Sequence, residues 1–140
     1  MNVDQIEKLI TAKTKAIMVV HTYGLPVDMN PIFGLAEKYG LFIVEDAAEA
    51  HGLKYRNKLC GSFGTISTMS FYANKHLTTG EGGMITTDSE QIAERCRSLR
   101  NLCFQSEARF IHEEIGWNYR MTSMQAALGL AQLERTSEIL

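Results

Sequence analysis

Proline is scarce in this chain of 140 residues, at two, which excludes a proline-rich linker or a polyproline recognition segment. The three cysteines, Cys60, Cys96 and Cys103, are odd in number and lack CxxC or metal-ligand spacing. A disulfide framework and a cysteine-based zinc site are therefore not expected; free thiols in a reducing cytoplasm are. Charge of one sign is also lacking: the net value is -2, so nothing electrostatic calls for nucleic acid. No apolar run approaches membrane-spanning length. The opening MNVDQIEKLI carries acids among its apolar residues and reads as neither signal nor transit peptide. What remains is the balance of a globular domain, 45% hydrophobic and 21% charged, with seven methionines suited to core filling.

Periodicity supplies the order of elements. Ile6, Leu9 and Ile10 recur at helical spacing over Asp4–Thr11, with Asp4 as cap. Ala16–Val20 is short, apolar throughout and β-branched at its end, as a strand buried on both faces would be. HTYGLPVDMNP is a loop. Asn30 then caps a helix with Pro31 first; Ile32, Phe33, Leu35, Ala36 and Tyr39 line one side and Gly40 closes it. Leu41–Glu45 is a second strand, running into Asp46, so strand, helix and strand form a βαβ unit with parallel strands.

Beyond Asp46, LKYRNKLCGSFG reads as a hairpin or loop. Thr65–Phe71 and Gly82–Asp88 read as a third and a fourth strand. Asp88 or Ser89 caps a helix to about Arg100 with Ile92, Ala93, Cys96 and Leu99 inward. Asn101–Tyr119 is irregular. Thr122 and Gln125 form a capping box for SMQAALGLAQLER, too apolar for a helix with a solvated face, which is expected to pack on both sides, against another subunit included. The fold class is α/β, a mostly parallel sheet flanked by helices.

Two residues carry the chemistry. Lys75 lies between a strand and the glycine-bracketed TTGEGG. A lysine that is buried, or close to another cation, loses its proton near neutral pH and attacks carbonyls; the alternative is a solvated surface lysine. Asp46 stands at a strand end, where open α/β sheets bind ligands; the alternative is a turn aspartate. Pyridoxal phosphate needs such a pair, an amine for its aldehyde and a carboxylate for its ring nitrogen.

VEDAAEAHG, SFYANKHLTTGEGG and GWNYRMTSMQAALGLAQLER, with the opening TKAIMVVHTYGLPVDM, resemble the DegT/DnrJ family of sugar-nucleotide aminotransferases, which has the fold-type-I architecture of pyridoxal-phosphate enzymes. The resemblance implies that Lys75 is the Schiff-base lysine and catalytic acid–base, and that Asp46 partners the pyridinium nitrogen. It implies a small residue under the ring at Ala48, a carboxylate near the phenolic oxygen at Glu49, and a phosphate-binding hydroxyl at Ser70. Asn118 is implied to cross a homodimer interface to the neighbouring site's phosphate. For each of these residues the residue type alone also fits a turn, cap or surface role. His21, His51 and Glu81 belong to the same strings without an assigned step.

The activity implied is transfer of an amino group from glutamate, released as 2-oxoglutarate, to a nucleotide-diphosphate keto-sugar. Lysine rather than histidine at position 75 favours transamination over dehydration. EDAAEAHG and SFYANK look closest to the perosamine-synthase branch, which acts on GDP-4-keto-6-deoxymannose. Residues 1–140 are expected to be the central part of the family's large domain, with the preceding segment and the C-terminal small domain absent. A non-catalytic fragment keeping only fold or interface is the alternative. A generic nucleotide-binding module fits less well, because TTGEGG is not a GxGxxG opening a helix.

Overall fold

The computed structural model describes residues 1–139. In chain order the elements are β1 (Ala16–Val20), α1 (Met29–Tyr39), β2 (Phe42–Asp46), β3 (Lys54–Tyr55), β4 (Lys58–Leu59), β5 (Ile66–Ser70), β6 (Gly83–Thr86), α2 (Glu90–Arg100), α3 (Ser123–Leu133) and α4 (Thr136–Ile139). Four strands form one sheet in the order β1–β2–β5–β6. β1, β2 and β5 run parallel, and β6 closes the edge antiparallel to β5. The expected α/β class with a mostly parallel sheet is what forms. The hairpin alternative for residues 53–64 is also what forms, as β3 paired with β4 and turning at Arg56 with φ +54°.

Side-chain alternation divides the sheet into two unlike faces. Ile17, Val19, Ile43, Glu45 and Ser67 are buried, and α1 lays Met29, Ile32 and Ala36 into the same core. Met29 and Ile32 are wholly buried, each worth about 1.5–3 kcal/mol. The other face carries Met18 and Phe42, 57% and 63% exposed. β1 was expected to be buried on both faces, and is not: its burial alternates along the strand. Apolar composition marks a residue that can be covered, while only a neighbour covers it.

Other departures are local. The expected helix at Asp4–Thr11 is two short 3-10 turns, Val3–Gln5 and Glu7–Leu9, with Asn2 rather than Asp4 capping the first. α1 begins at Met29 with Asp28 as N-cap, one turn-step ahead of the expected Asn30, so Pro31 is its third residue. Proline is tolerated there because the first-turn N–H groups have no intrahelical acceptor. Gly40 ends α1 in the left-handed conformation, φ +61°. β2 is displaced by one residue from the expected Leu41–Glu45, which makes Asp46 its last member. Ser89, one of the two expected caps, opens α2, and Thr122 with Gln125 forms the capping box of α3. The inward residues of α2 are half-buried. Within this chain no residue of α3 is buried, and Leu128, Leu130 and Leu133 are more than half exposed.

One ionised group organises the core. Glu45 is fully buried. Its Oε1 accepts from His21 Nε2 at 2.9 Å and Gly61 N at 2.6 Å. Its Oε2 accepts from Phe63 N at 2.8 Å, Gly64 N at 3.1 Å and Ser67 Oγ at 2.7 Å. Val27 N donates to His21 Nδ1 at 3.1 Å, so the imidazole proton sits on Nε2 and points at Glu45. Burial alone would raise the Glu45 carboxyl; donation from His21, Ser67 and the Gly61 and Phe63 amides outweighs it and brings the group down to about 2.

Because the folded value lies below the unfolded value of 4.5, the unfolded chain binds more protons between the two. Stability is complete above 4.5 and falls as pH drops toward 2, by on the order of 3 kcal/mol. Urea unfolding at about pH 6 and about pH 3 should register that loss. Glu45→Gln should cost about 3 kcal/mol at neutral pH, by setting an NH2 against buried donors, and should flatten the acid slope. An unchanged slope in Glu45→Gln would remove Glu45 as its source.

Candidate active site

The carboxyl ends of β2 and β5 lie side by side, with Asp46 opposite Thr68. Strand alternation turns Glu45 into the core and Asp46 to the opposite face. Asp46 is half-buried, and its Oδ1 accepts from Ala48 N at 3.0 Å. Among the described residues Oδ2 has no hydrogen-bond partner. The backbone then makes a tight turn, Ala47 N bonding Thr68 O at 2.9 Å and Ala50 N bonding Ala47 O at 3.0 Å. That turn presents Ala48 and Glu49.

Lys75 comes to this turn from the neighbouring strand. β5 ends at Ser70, and Phe71 is fixed by donating to Gly82 O at 2.8 Å and accepting from Thr79 N at 2.9 Å. The segment 72–78 is thereby a closed loop, on which Lys75 N bonds Tyr72 O at 3.0 Å. Lys75 Nζ lies 3.4 Å from Glu49 Oε1 and its side chain is 16% exposed. Glu49 Oε2 accepts from Tyr23 N at 2.7 Å. The Tyr23 bond, more than Lys75, holds the Glu49 carboxyl below the usual range against its partial burial. Tyr23 is left-handed, φ +51°, and exposed. The loops after β1, β2 and β5 therefore meet at one carboxylate.

Ser70 stands at the same edge with its Oγ accepting from Tyr72 N at 3.3 Å, which leaves the hydroxyl proton free to donate. The structure brings Asp46, Ala48, Glu49 and Lys75 into one neighbourhood, with Ser70 beside them. Asn118 lies elsewhere, exposed and bridged antiparallel to Asn101. Among the described residues no hydrogen bond ties it to this edge. Glu81 is exposed, and only its carbonyl is engaged, by Thr79 Oγ1 and Gln125 Nε2.

His21, Glu45 and Cys60 hold ligand-type atoms within 4.8 Å of one another. Every His21 nitrogen and both Glu45 oxygens are already committed. Burial, and after it the Glu45 charge, pushes the Cys60 thiol up to about 11. A metal would have to displace all of this, so the cluster is a packing knot. Sequence reading missed Glu45 and Gln132 of α3. Gln132 exchanges hydrogen bonds with both backbone groups of Thr78, at 3.0 and 2.7 Å. The signal for Glu45 was available: it lies two residues from Ile43, so a strand that buries Ile43 must bury Glu45.

The sequence model of the DegT/DnrJ/EryC1/StrS aminotransferase family matches residues 1–140. This chain belongs to that family. Two family relatives are GDP-perosamine synthases. That of Escherichia coli O157:H7 is 49% identical over 140 residues, 100% of this chain and 38% of the relative. That of Caulobacter vibrioides is 52% identical over 134 residues, 96% of this chain and 36% of the relative. The S. venezuelae DesV structure, solved in complex with a ketimine intermediate, superposes with a TM-score of 0.90 at 41% identity, over 99% of this chain and 37% of that one. The chain thus spans under two fifths of these relatives. The family resemblance implies pyridoxal phosphate as the cofactor.

The residues present fit that cofactor. Asp46 keeps an unpartnered carboxylate oxygen, Ser70 an uncommitted hydroxyl proton, and Lys75 a half-buried amine held by a single carboxylate. The loop bearing Lys75 also depends on Gly82, whose φ is +142° and whose added Cβ would meet Thr79 Oγ1 at 2.7 Å. Gly82→Ala should cost about 1–3 kcal/mol by urea unfolding, whereas Gly34→Ala, in open space on α1, should be neutral or stabilising. Equal effects would contradict the strain.

Proposed function

We propose that this chain supplies the cofactor edge of a pyridoxal-phosphate-dependent aminotransferase. The reaction moves an amino group from glutamate, leaving 2-oxoglutarate, to a nucleotide-linked keto-deoxysugar, with GDP-4-keto-6-deoxymannose as acceptor and GDP-perosamine as product. The observation that carries this is Lys75 Nζ drawn to 3.4 Å from Glu49, on the edge where Asp46 ends the adjacent parallel strand. The GDP-perosamine synthases among the relatives support the choice of sugar.

When bound, the cofactor supplies an electrophilic aldehyde and a ring able to accept an electron pair from the substrate carbon. Asp46 would hold the proton on the ring nitrogen through its free oxygen. Ala48 would offer the ring a small side chain, Glu49 would serve the phenolic oxygen, and Ser70 would donate its hydroxyl proton to the phosphate. Lys75 Nζ would hold the aldehyde carbon. Once released by the amino donor, Nζ would take a proton from the substrate carbon and deliver it to the cofactor's aldehyde-derived carbon, and Glu49 would keep that amine in reach. Asn118 reaches the phosphate of a second copy, in a homodimer. Residues 1–140 form part of the large domain of this enzyme, in a cytoplasm that keeps Cys60, Cys96 and Cys103 as thiols.

A second reading, a non-catalytic chain that keeps the fold alone, is favoured by the open apolar face at Met18 and Phe42. Incubation with pyridoxal phosphate and borohydride, followed by peptide mass analysis, separates the two. The first reading expects the label on Lys75, and Lys75→Ala should lower labelling and any transamination by about a hundredfold or more. A folded chain that stays unlabelled, or labels only at other lysines, favours the second.

A further inference from the structure

His51 is the buried polar group that the proposed reaction does not use. It is 2% exposed, and neither ring nitrogen has a hydrogen-bond partner among the described residues. A buried polar group left unsatisfied destabilises a fold that phenylalanine or leucine would not, so an imidazole here calls for a reason. Its location suggests one. His51 ends the turn that presents Asp46 and Glu49, and its ring stacks on Phe71 with centroids 5.7 Å apart and planes at 25°. Phe71 is the residue at which the Lys75 loop both leaves and rejoins the sheet, its carbonyl accepting from Thr79 N and from Thr78 Oγ1 at 3.0 Å.

We propose that His51 is a positioning residue for Lys75: its neutral ring, packed on Phe71, seats the loop that carries the amine against the turn that carries Asp46 and Glu49, and protonation of that ring unseats it. This rests on the reading of Lys75 as the reactive amine. The charged groups that act on the ring are His76 and Lys75, both on the loop; Asp46 and Glu49 precede it along the chain. Glu49 is occupied by Lys75 and Tyr23, and Asp46, which accepts from Ala48 N through Oδ1, makes no hydrogen bond to the ring. An imidazolium would therefore add a buried positive charge beside Lys75 and His76 with no hydrogen-bonded carboxylate against it. Burial, then the His76 charge, hold His51 below the ordinary 6.5, with Lys75 adding to them and the Ser70 backbone, which forms no hydrogen bond to the ring, opposing.

With the seated value below that of the opened loop, the opened loop binds more protons as pH falls beneath about 6.5. The seated state is complete above that value and weakens below it, by at most about tenfold per pH unit for one proton. Hydrogen exchange of the amides in 72–79, corrected for intrinsic rates, reads this without any cofactor. In the unaltered chain protection should fall toward about tenfold between pH 6.5 and 5.5. His51→Phe, which keeps an aromatic ring on Phe71 and removes the titration, should hold its protection over the same range. His51→Ala should be poorly protected throughout.

Equal pH dependence in His51→Phe and the unaltered chain would overturn the proposal. If His51→Phe does not fold, ring-labelled histidine NMR on the unaltered chain decides. Shifts of 72–79 must then follow the His51 midpoint, and a loop that ignores it overturns the proposal. Borohydride labelling of Lys75 with pyridoxal phosphate separates this from the parent reading. No label at any pH defeats the reading of Lys75, whereas a label whose acid loss is the same in His51→Phe defeats the role of His51.

Discussion

An ionised carboxylate with no access to water is stable only if protein donors replace the hydration it has lost. Glu45 meets that condition by gathering donors from three places: His21 after β1, the amides of 61–64 before β5, and Ser67 within it. Each donor must be where it is for the charge to remain buried. The charge in turn fixes how the β1 exit and the β5 entry sit against β2, and His21 N bonding Asp46 O at 3.1 Å extends the same tie to the sheet edge. The site is built at that edge.

Alternation along β2 then separates structure from chemistry. Glu45 points into the core and is spent on holding the strands, while its neighbour Asp46 faces the other way and keeps an oxygen unused. The same division recurs in the loops. Phe71 and Gly82 fix the ends of the Lys75 loop through backbone bonds, and α3 grips its outer side through Gln132 and Gln125. The Lys75 amine is thus carried on a loop whose ends are tied by backbone bonds, which suits the reacting role proposed for it.

The βαβ unit was legible because its signals are local: five-residue apolar runs, a glycine stop and a polar break. The positions of Asp46 at a strand end and Lys75 on the loop after a strand were legible from the apolar runs before them, and the roles proposed for them come from the strings that resemble a family. What the sequence could not convey was coverage. Val20 and Met18 are as apolar as a doubly buried strand requires, yet they are 38% and 57% exposed. α3 likewise has the composition of a buried helix and an open surface. Glu45 was passed over for the opposite reason, since a charged residue at a strand end is read as solvated until its alternation partner is known to be inside.

The central claim is that Asp46 and Lys75 address opposite ends of one pyridine ring. It is tested most directly by loading the protein with pyridoxal phosphate labelled with nitrogen-15 in the ring and recording the ring-nitrogen resonance. The account predicts a protonated nitrogen in the unaltered protein and loss of that proton in Asp46→Ala, with the label still attached through Lys75. A ring nitrogen whose protonation is the same in both proteins would contradict it.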